Sequence, residues 1–437
     1  MPSCSATRHC IRKATRCSKS GLDVLIVGCG CSGSLVAKYF RELLRGQARS
    51  WDRLPKQVRS GQTRFEDHVK LTLWDWARGP AGRMSTFHSS SDSREMHIAD
   101  IGAQVLSVRS PADEEHLRSY GAIDAFGLAA TTCQRPRDAT HLWMPGGLTE
   151  LLSMQIRDSL PDEVIFNRRM LGITRQSQHC VAEAELDTPP HWLARGRFST
   201  GRYQPEHGQH VVKQVFDAVV VATSANDVLR LHGMPGALGS SIVAALEQVS
   251  YDSRLSVTLM LSPSLRSAVE KLFANGQSEL DLECGTGFCT QSVLGLLAWQ
   301  DRKARWYDDC TVVVAHSTRA FARENLNGAR QGRQTPEERG RAIVIRALAS
   351  QLKVSEQHLE ASVLDEKVVH WHQGQVQRFM TGADKCLVIP SYQTKAPGPL
   401  LALCGDYFTE ATFAGCSRSA YATAEALMSW LQSRLAR

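Results

Sequence analysis

The chain contains no apolar run approaching the roughly 18 residues that a membrane-crossing helix requires. It also lacks a C-x-x-C pair. Its 13 cysteines are odd in number and scattered, and Cys29-x-Cys31 lies inside a glycine-rich turn. That pattern argues against a disulfide framework and a zinc site, and for free thiols in a reducing compartment. His207 and His210 are near neighbours, but in a polar stretch without further ligands, so no metal site is expected. No G-x-S-x-G elbow and no Walker-type loop occurs, which leaves hydrolase and kinase chemistry without a motif. Internal repeats are absent. The net charge of +7 is not gathered into a basic stripe with interleaved aromatics, so nucleic-acid binding is not expected. No acidic residue precedes Asp23, whereas Arg8, Arg12, Lys13, Arg16 and Lys19 do. Such a leader is either a disordered tail or a targeting segment. The expected location is cytoplasmic, with mitochondrial or plastid targeting as the alternative.

What remains is a globular composition, 43% hydrophobic and 22% charged over 437 residues, long enough for two domains that could interleave. The most informative stretch is Asp23 to Gly33. Val24 to Val27 reads as a parallel strand buried on both faces. It runs into Gly28-Cys29-Gly30-Cys31-Ser32-Gly33, a G-x-G-x-x-G, and then into an amphipathic helix from Ser34 to Arg45. Strand, glycines and helix in this order form the dinucleotide-binding fingerprint. Gly28 permits the tight turn, Gly30 lets backbone N–H groups approach a pyrophosphate, and Gly33 allows close helix–strand packing. The anion then meets the positive end of the helix. Lys70 to Trp74 is the next strand, and Asp75 at its end is placed to accept ribose hydroxyls. Its distance from Gly33 requires the polar stretch Gln47 to His68 to loop out.

Further along, helices are expected at Asp113 to Ala130, Leu148 to Leu160, Ala342 to Leu352 and Ser417 to Leu435. Strands are expected at Val164 to Phe166, Met170 to Ile173, Phe216 to Thr223, Gln248 to Leu261, Thr311 to Ser317, Val363 to Trp371 and Leu400 to Cys404. Gln176 to His210 reads as an expanded hairpin, and Arg319 to Gly340 as charged surface.

Four motifs then line up: GCGCSG, PAGRM, FDAVVVAT and CGDYFTEATFAGC. Together they resemble the glutathione-reductase-type FAD oxidoreductases, and among them the amine-oxidase-like group. WDWARGPAGRMST, ADIGAQ, VSYDSRLSVTL and VHWHQGQV carry the likeness further, to the renalase family.

The resemblance implies an α/β fold, with a Rossmann-type FAD domain of the glutathione-reductase type interleaved with a smaller α+β substrate domain on a mixed sheet. The implied division is 1–20 as leader, 21–108, 146–235 and 398–437 as FAD domain, and 109–145 and 236–397 as substrate domain. The implied FAD site takes Gly28, Cys29, Gly30, Ser32, Gly33 and Ser34 for the pyrophosphate and Asp75 for the ribose. Gly82, Arg83 and Met84 lie by the phosphates and flavin, Gln104 and Val105 near the isoalloxazine, and Met170 and Thr223 along the cofactor. Gly405 and Asp406 meet the ribityl chain or phosphate, and Phe413, Gly415 and Cys416 bring the last helix to the flavin's N1–C2=O edge, where its dipole stabilises reduced flavin.

The implied activity is an oxidase with non-covalent FAD that takes hydride from a 2- or 6-dihydro isomer of NAD(P)H and reduces O2 to hydrogen peroxide. An amine or polyamine oxidase and a non-catalytic flavin module are the alternatives. Partners are then a small molecule, a dihydronicotinamide dinucleotide or an amine, and O2. The oligomeric state is left open. No catalytic side chain is singled out. Tyr251, Trp371, His372 and Gln375 are candidates for the substrate face, and Lys385 is the one suggestive lysine for an amine oxidase. The family pattern has two glycines before the arginine, whereas Ala81 stands first here, a substitution that a bound backbone is expected to tolerate.

Overall fold

The computed structural model describes residues 21–47, 68–89, 97–128, 138–176, 191–198, 211–283, 292–303, 307–326, 334–389 and 398–435. The basic leader, nearly all of the stretch from Gln47 to His68, and His207 and His210 lie outside the described residues.

Six strands form the central sheet, in the order Leu387–Ile389, Leu400–Leu403, Ala218–Val221, Leu22–Val27, Val69–Trp74 and Glu163–Ile165. The last five pair in parallel, and Leu387–Ile389 adds an antiparallel edge. Val24 and Ile26 pack against the helices Cys31–Gln47, Leu148–Asp158 and Phe413–Leu435. Leu25 and Val27 face the opposite layer, where Trp192, Phe216 and Met234 lie. Burial on both faces is why this strand reads as an unbroken apolar run rather than an alternating one.

That opposite layer includes the expected hairpin. Arg168–Gln176, His191–Phe198 and Val211–Phe216 make a three-stranded antiparallel sheet. Residues 177–190 and 199–210 between them are outside the described set.

A second large sheet runs Glu279–Asp281, Leu294–Trp299, Thr311–Ser317, Arg254–Leu261, Val363–Trp371. It is antiparallel throughout, not mixed as expected; the mixed sheet is the central one. Its fourth strand, Arg254–Leu261, is buried along its whole length. One face of that strand packs against the helix Pro336–Leu352 and its neighbours; on the other, Met260 clusters with Ala298, Val312 and Val314 of the same sheet and with Ala99 and Tyr307.

Three element limits differ from expectation for local reasons. The helix expected from Asp113 ends at Ser119, because Gly121 turns left-handed at φ 88° and Ile123–Asp124 pairs as a strand with Thr140–Trp143. The strand expected from Gln248 is interrupted at Asp252, whose backbone N–H and C=O bond to Gln375 and Gly374 instead. The helix expected from Ala342 begins at Pro336, where Thr335 and Glu338 form a capping box. Among the described residues no helix is long and apolar enough to cross a membrane.

Candidate functional site

Four parallel strands end level with one another. Val27 stands opposite both Val221 and Trp74, and Val221 stands opposite Leu403. The loops leaving these ends carry Gly28–Gly33, Asp75, Thr223 and Gly405–Asp406, so the sheet gathers four sequence-distant motifs along one rim. The carboxyl rim of such a sheet is where α/β folds bind ligands.

The three glycines of the turn differ physically. Gly28 is left-handed at φ 101°, and a Cβ there would fall 2.6 Å from the Ala222 oxygen. A Cβ on Gly33 would fall 1.8 Å from the Gly28 oxygen, so helix and strand need a glycine to pack. Gly30 alone faces open space: a Cβ there would meet no protein atom within 4 Å. Gly82 sits across from it, and an added Cβ on Gly82 would stop 4.0 Å from the Gly30 α-carbon. Protein packing therefore explains Gly28 and Gly33 but leaves Gly30 unexplained, as a ligand passing over the backbone would require.

The helix Cys31–Gln47 starts at this opening, three residues earlier than the sequence suggested, so Ser32 and Gly33 belong to its first turn. Its first N–H groups have no intrahelical acceptor. The helix Phe413–Leu435 begins beside it, with Cys416 close to Cys31. The neighbouring Cys416, and then burial, push the Cys31 thiol well above its usual range. Neither helix has an acidic residue in its first turn, so two positive helix ends converge on the opening uncompensated at those positions. The Thr223 hydroxyl is buried there without a hydrogen-bond partner. Open backbone, two helix ends and an orphaned hydroxyl fit the diphosphate of a dinucleotide cofactor.

Asp75 is put to a second use. Its carboxylate accepts the Cys29 N–H at 2.6 Å and the Ala77 N–H at 2.8 Å, binding the glycine turn to the second strand. Burial raises its pKa despite these two donors. Two of its roughly four acceptor positions are thus filled by the protein. The same turn holds the PAGRM segment through the Ala81 N–H and the Cys29 oxygen, at 3.1 Å. Ala81 adopts φ 122°, so the alanine in place of a glycine is accommodated only in a conformation that L-residues resist.

Arg83 and Asp406, 323 positions apart, form a bidentate pair with N–O distances of 2.8 and 2.9 Å. The Arg83 guanidinium also donates to the Gly374 oxygen at 2.9 Å. Burial opposes the arginine's charge, and the Asp406 carboxylate outweighs it and raises its pKa further. Gly405 is held from the last helix by the Ser419 hydroxyl at 3.0 Å. Gly415 is fixed by the Thr412 and Thr409 hydroxyls at 3.0 and 2.8 Å.

Several residues expected at the cofactor have side chains packed within the protein. Met84 and Phe413 are core side chains on the helical face of the central sheet, and Met170 is core on the other face. Ser34 is fully buried and bonds back to the Cys29 oxygen. Cys29 is likewise buried, which together with Asp75 raises its thiol pKa. Val105 is half-buried beside Gln104. The Gln104 amide is spent inside the protein: its nitrogen donates to the Asp100 and Gly102 oxygens, and its oxygen accepts from Gln300 and Lys303. Lys303 is wholly buried, 2.7 Å from the Gln104 backbone oxygen and 3.8 Å from Asp100. Nothing in the sequence marked Lys303, because a single lysine in a hairpin carries no pattern. Lys385, which did attract notice, is exposed.

On the substrate-face side, the Tyr251 hydroxyl accepts the Ala225 N–H at 2.9 Å, and burial raises its pKa, so it remains protonated. The Trp371 indole reaches the Ile101 oxygen at 3.3 Å. Gln375 uses its N–H on the Asp252 carboxylate at 2.5 Å. His372 is exposed and packs on His370. A cavity of about 850 Å³ is lined by Pro80, Ser153, Phe166 and Tyr307, and by no residue of the glycine turn.

No family model matches the sequence. Three solved structures of putrescine oxidase match the fold. A double mutant and a triple mutant, both from a redesign of cofactor binding, have TM-scores of 0.52 and 0.53 at 13% and 12% identity. The wild type bound to putrescine has a TM-score of 0.50 at 13% identity. Each match covers 94% of this chain and 99% of that chain. The chain therefore has the fold of putrescine oxidase, over almost its whole length.

Proposed function

We propose that the protein is an FAD-dependent oxidase that holds FAD non-covalently at the carboxyl rim of the central sheet. The observation that carries this reading is the open backbone at Gly30, facing Gly82 where two helix N-termini converge. The putrescine oxidase structures, which come from a redesign of cofactor binding in that protein, support it through a shared fold. Under this reading the first-turn N–H groups of the helix Cys31–Gln47 hold the pyrophosphate, and the Thr223 hydroxyl takes a cofactor oxygen. Asp75 shapes the turn while offering its remaining acceptor positions to the ribose. The Arg83–Asp406 pair fixes the PAGRM segment against the C-terminal turn, and the N-terminus of Phe413–Leu435 stabilises negative charge on the ring. Bound FAD would supply hydride acceptance and the passage of electrons to O2. The glutathione-reductase subtype belongs to this reading, as does the interleaving of a cofactor domain on the central sheet with a substrate domain on the antiparallel sheet.

The substrate in this reading is a 2- or 6-dihydro isomer of NAD(P)H, on the motifs shared with the renalase family. Loss of hydride from such an isomer restores an aromatic ring, so no side-chain base is needed, in keeping with Tyr251 remaining protonated and Lys303 being fully engaged. An amine substrate is the second reading, favoured by the putrescine oxidase fold and its putrescine-bound form. Anaerobic rapid mixing separates the two. The first reading requires faster flavin reduction by the dihydro isomers than by 1,4-NADH or putrescine. Reduction by putrescine with none by the isomers replaces it with the second.

A further inference from the structure

We propose that Glu337, His370 and His372 form a binding site for a divalent cation of the zinc class, on the antiparallel sheet and outside the cofactor cradle. One ligand atom from each residue lies within 4.8 Å of the others. An ion held at about 2.0–2.2 Å from nitrogen and oxygen ligands places those ligands roughly 3–3.5 Å apart. A small movement of two surface side chains completes that geometry, because Glu337 is 39% exposed and His372 is exposed.

His370 is the anchored ligand. Its side chain is 2% exposed. Its Nε2 lies 2.8 Å from the Ser253 hydroxyl, a contact that, with Nε2 as donor, leaves the lone pair on Nδ1. That Nδ1 is buried 3.4 Å from a Glu337 carboxylate oxygen, yet the geometry makes no hydrogen bond. A cation placed between this nitrogen and the carboxylate would give both a partner. The His370 and His372 ring centroids are 3.7 Å apart, close enough for both to offer nitrogens to one ion. Two imidazoles and one carboxylate suit zinc and leave coordination positions for water.

The site also has a structural consequence. His372 opens the turn whose Gly374 oxygen receives Arg83 at 2.9 Å, while Glu337 sits in the first turn of Pro336–Leu352. A bound ion would tie that helix to the turn supporting the Arg83–Asp406 pair.

The test uses full-length protein, stripped with a chelator and titrated with zinc by calorimetry, with bound metal counted after dialysis. The His372→Ala and Glu337→Gln variants alter surface side chains and should fold normally. Each is expected to weaken zinc binding by on the order of a hundredfold and to abolish the zinc-induced rise in Tm. Cys310→Ser is the control, because His97, Asp309 and Cys310 are the other such grouping among the described residues. It should leave this binding unchanged. Absence of zinc uptake by the wild type, uptake unaltered in His372→Ala, or uptake lost only in Cys310→Ser would each overturn the proposal.

Discussion

Gly30→Val separates ligand binding from folding. At Gly28 or Gly33 a side chain collides with backbone, at 2.6 Å and 1.8 Å respectively, so loss of flavin in those variants could reflect a damaged fold. At Gly30 an added Cβ meets nothing within 4 Å, and the residue is not left-handed. The apo variant should therefore match the apo wild type to within about 1 kcal/mol, with a small gain possible from a stiffer unfolded chain. Its branched side chain fills the opening in front of the first-turn N–H groups. Loss of two hydrogen bonds to a charged group, at about 1.5–3 kcal/mol each, weakens FAD by about 3–6 kcal/mol. That is a rise in Kd on the order of a hundred- to ten-thousandfold. Urea denaturation of both apo proteins gives the first quantity, and fluorescence titration with FAD the second. A folded Gly30→Val protein that retains full flavin absorbance after gel filtration would refute the assignment of this turn.

Three other outcomes follow from the same geometry. Asp75→Ala should destabilise the apo protein by about 2–4 kcal/mol, because the Cys29 and Ala77 N–H groups lose their acceptor, and should weaken FAD by about 1.5–3 kcal/mol. Unchanged apo stability in denaturation would show that the carboxylate serves only a ligand. Arg83→Ala leaves Asp406 buried and unpaired, at a cost of about 3 kcal/mol, the lower end for a broken buried pair because the arginine side chain is 39% exposed. Adding Asp406→Asn should recover part of that loss, and a strictly additive double mutant would contradict the pairing. Asp217 is held below its usual pKa: burial pushes it up, but His191, the Asp23 N–H and Arg434 outweigh it. Its contribution is therefore present above the unfolded-chain value of about 3.9 and is lost as pH falls through its folded value. Asp217→Asn should flatten the acid limb of stability by up to about 1.4 kcal/mol per pH unit below pH 4, and an unaltered limb would exclude this role.

Local pattern made the rim of the central sheet legible in advance. Val24 to Val27 is apolar at every position because helices cover one face and a second sheet the other, and its glycines punctuate the turn at fixed offsets. Thr311–Ser317 and Val363–Trp371 were likewise readable from their own residues. These features are written within a few positions, where backbone sterics and periodic burial act. The uses of individual polar side chains are not. Whether Asp75 meets a ribose or the turn, whether Arg83 meets a phosphate or Asp406, and whether Gln104 faces a flavin or Lys303 depend on which partner lies nearest after folding. Partners 46, 323 and 199 positions away leave no spacing to read. The tertiary structure alone brought Glu337 beside His370, and it alone showed that Gly30, unlike Gly28 and Gly33, is glycine at a place where the protein itself needs none.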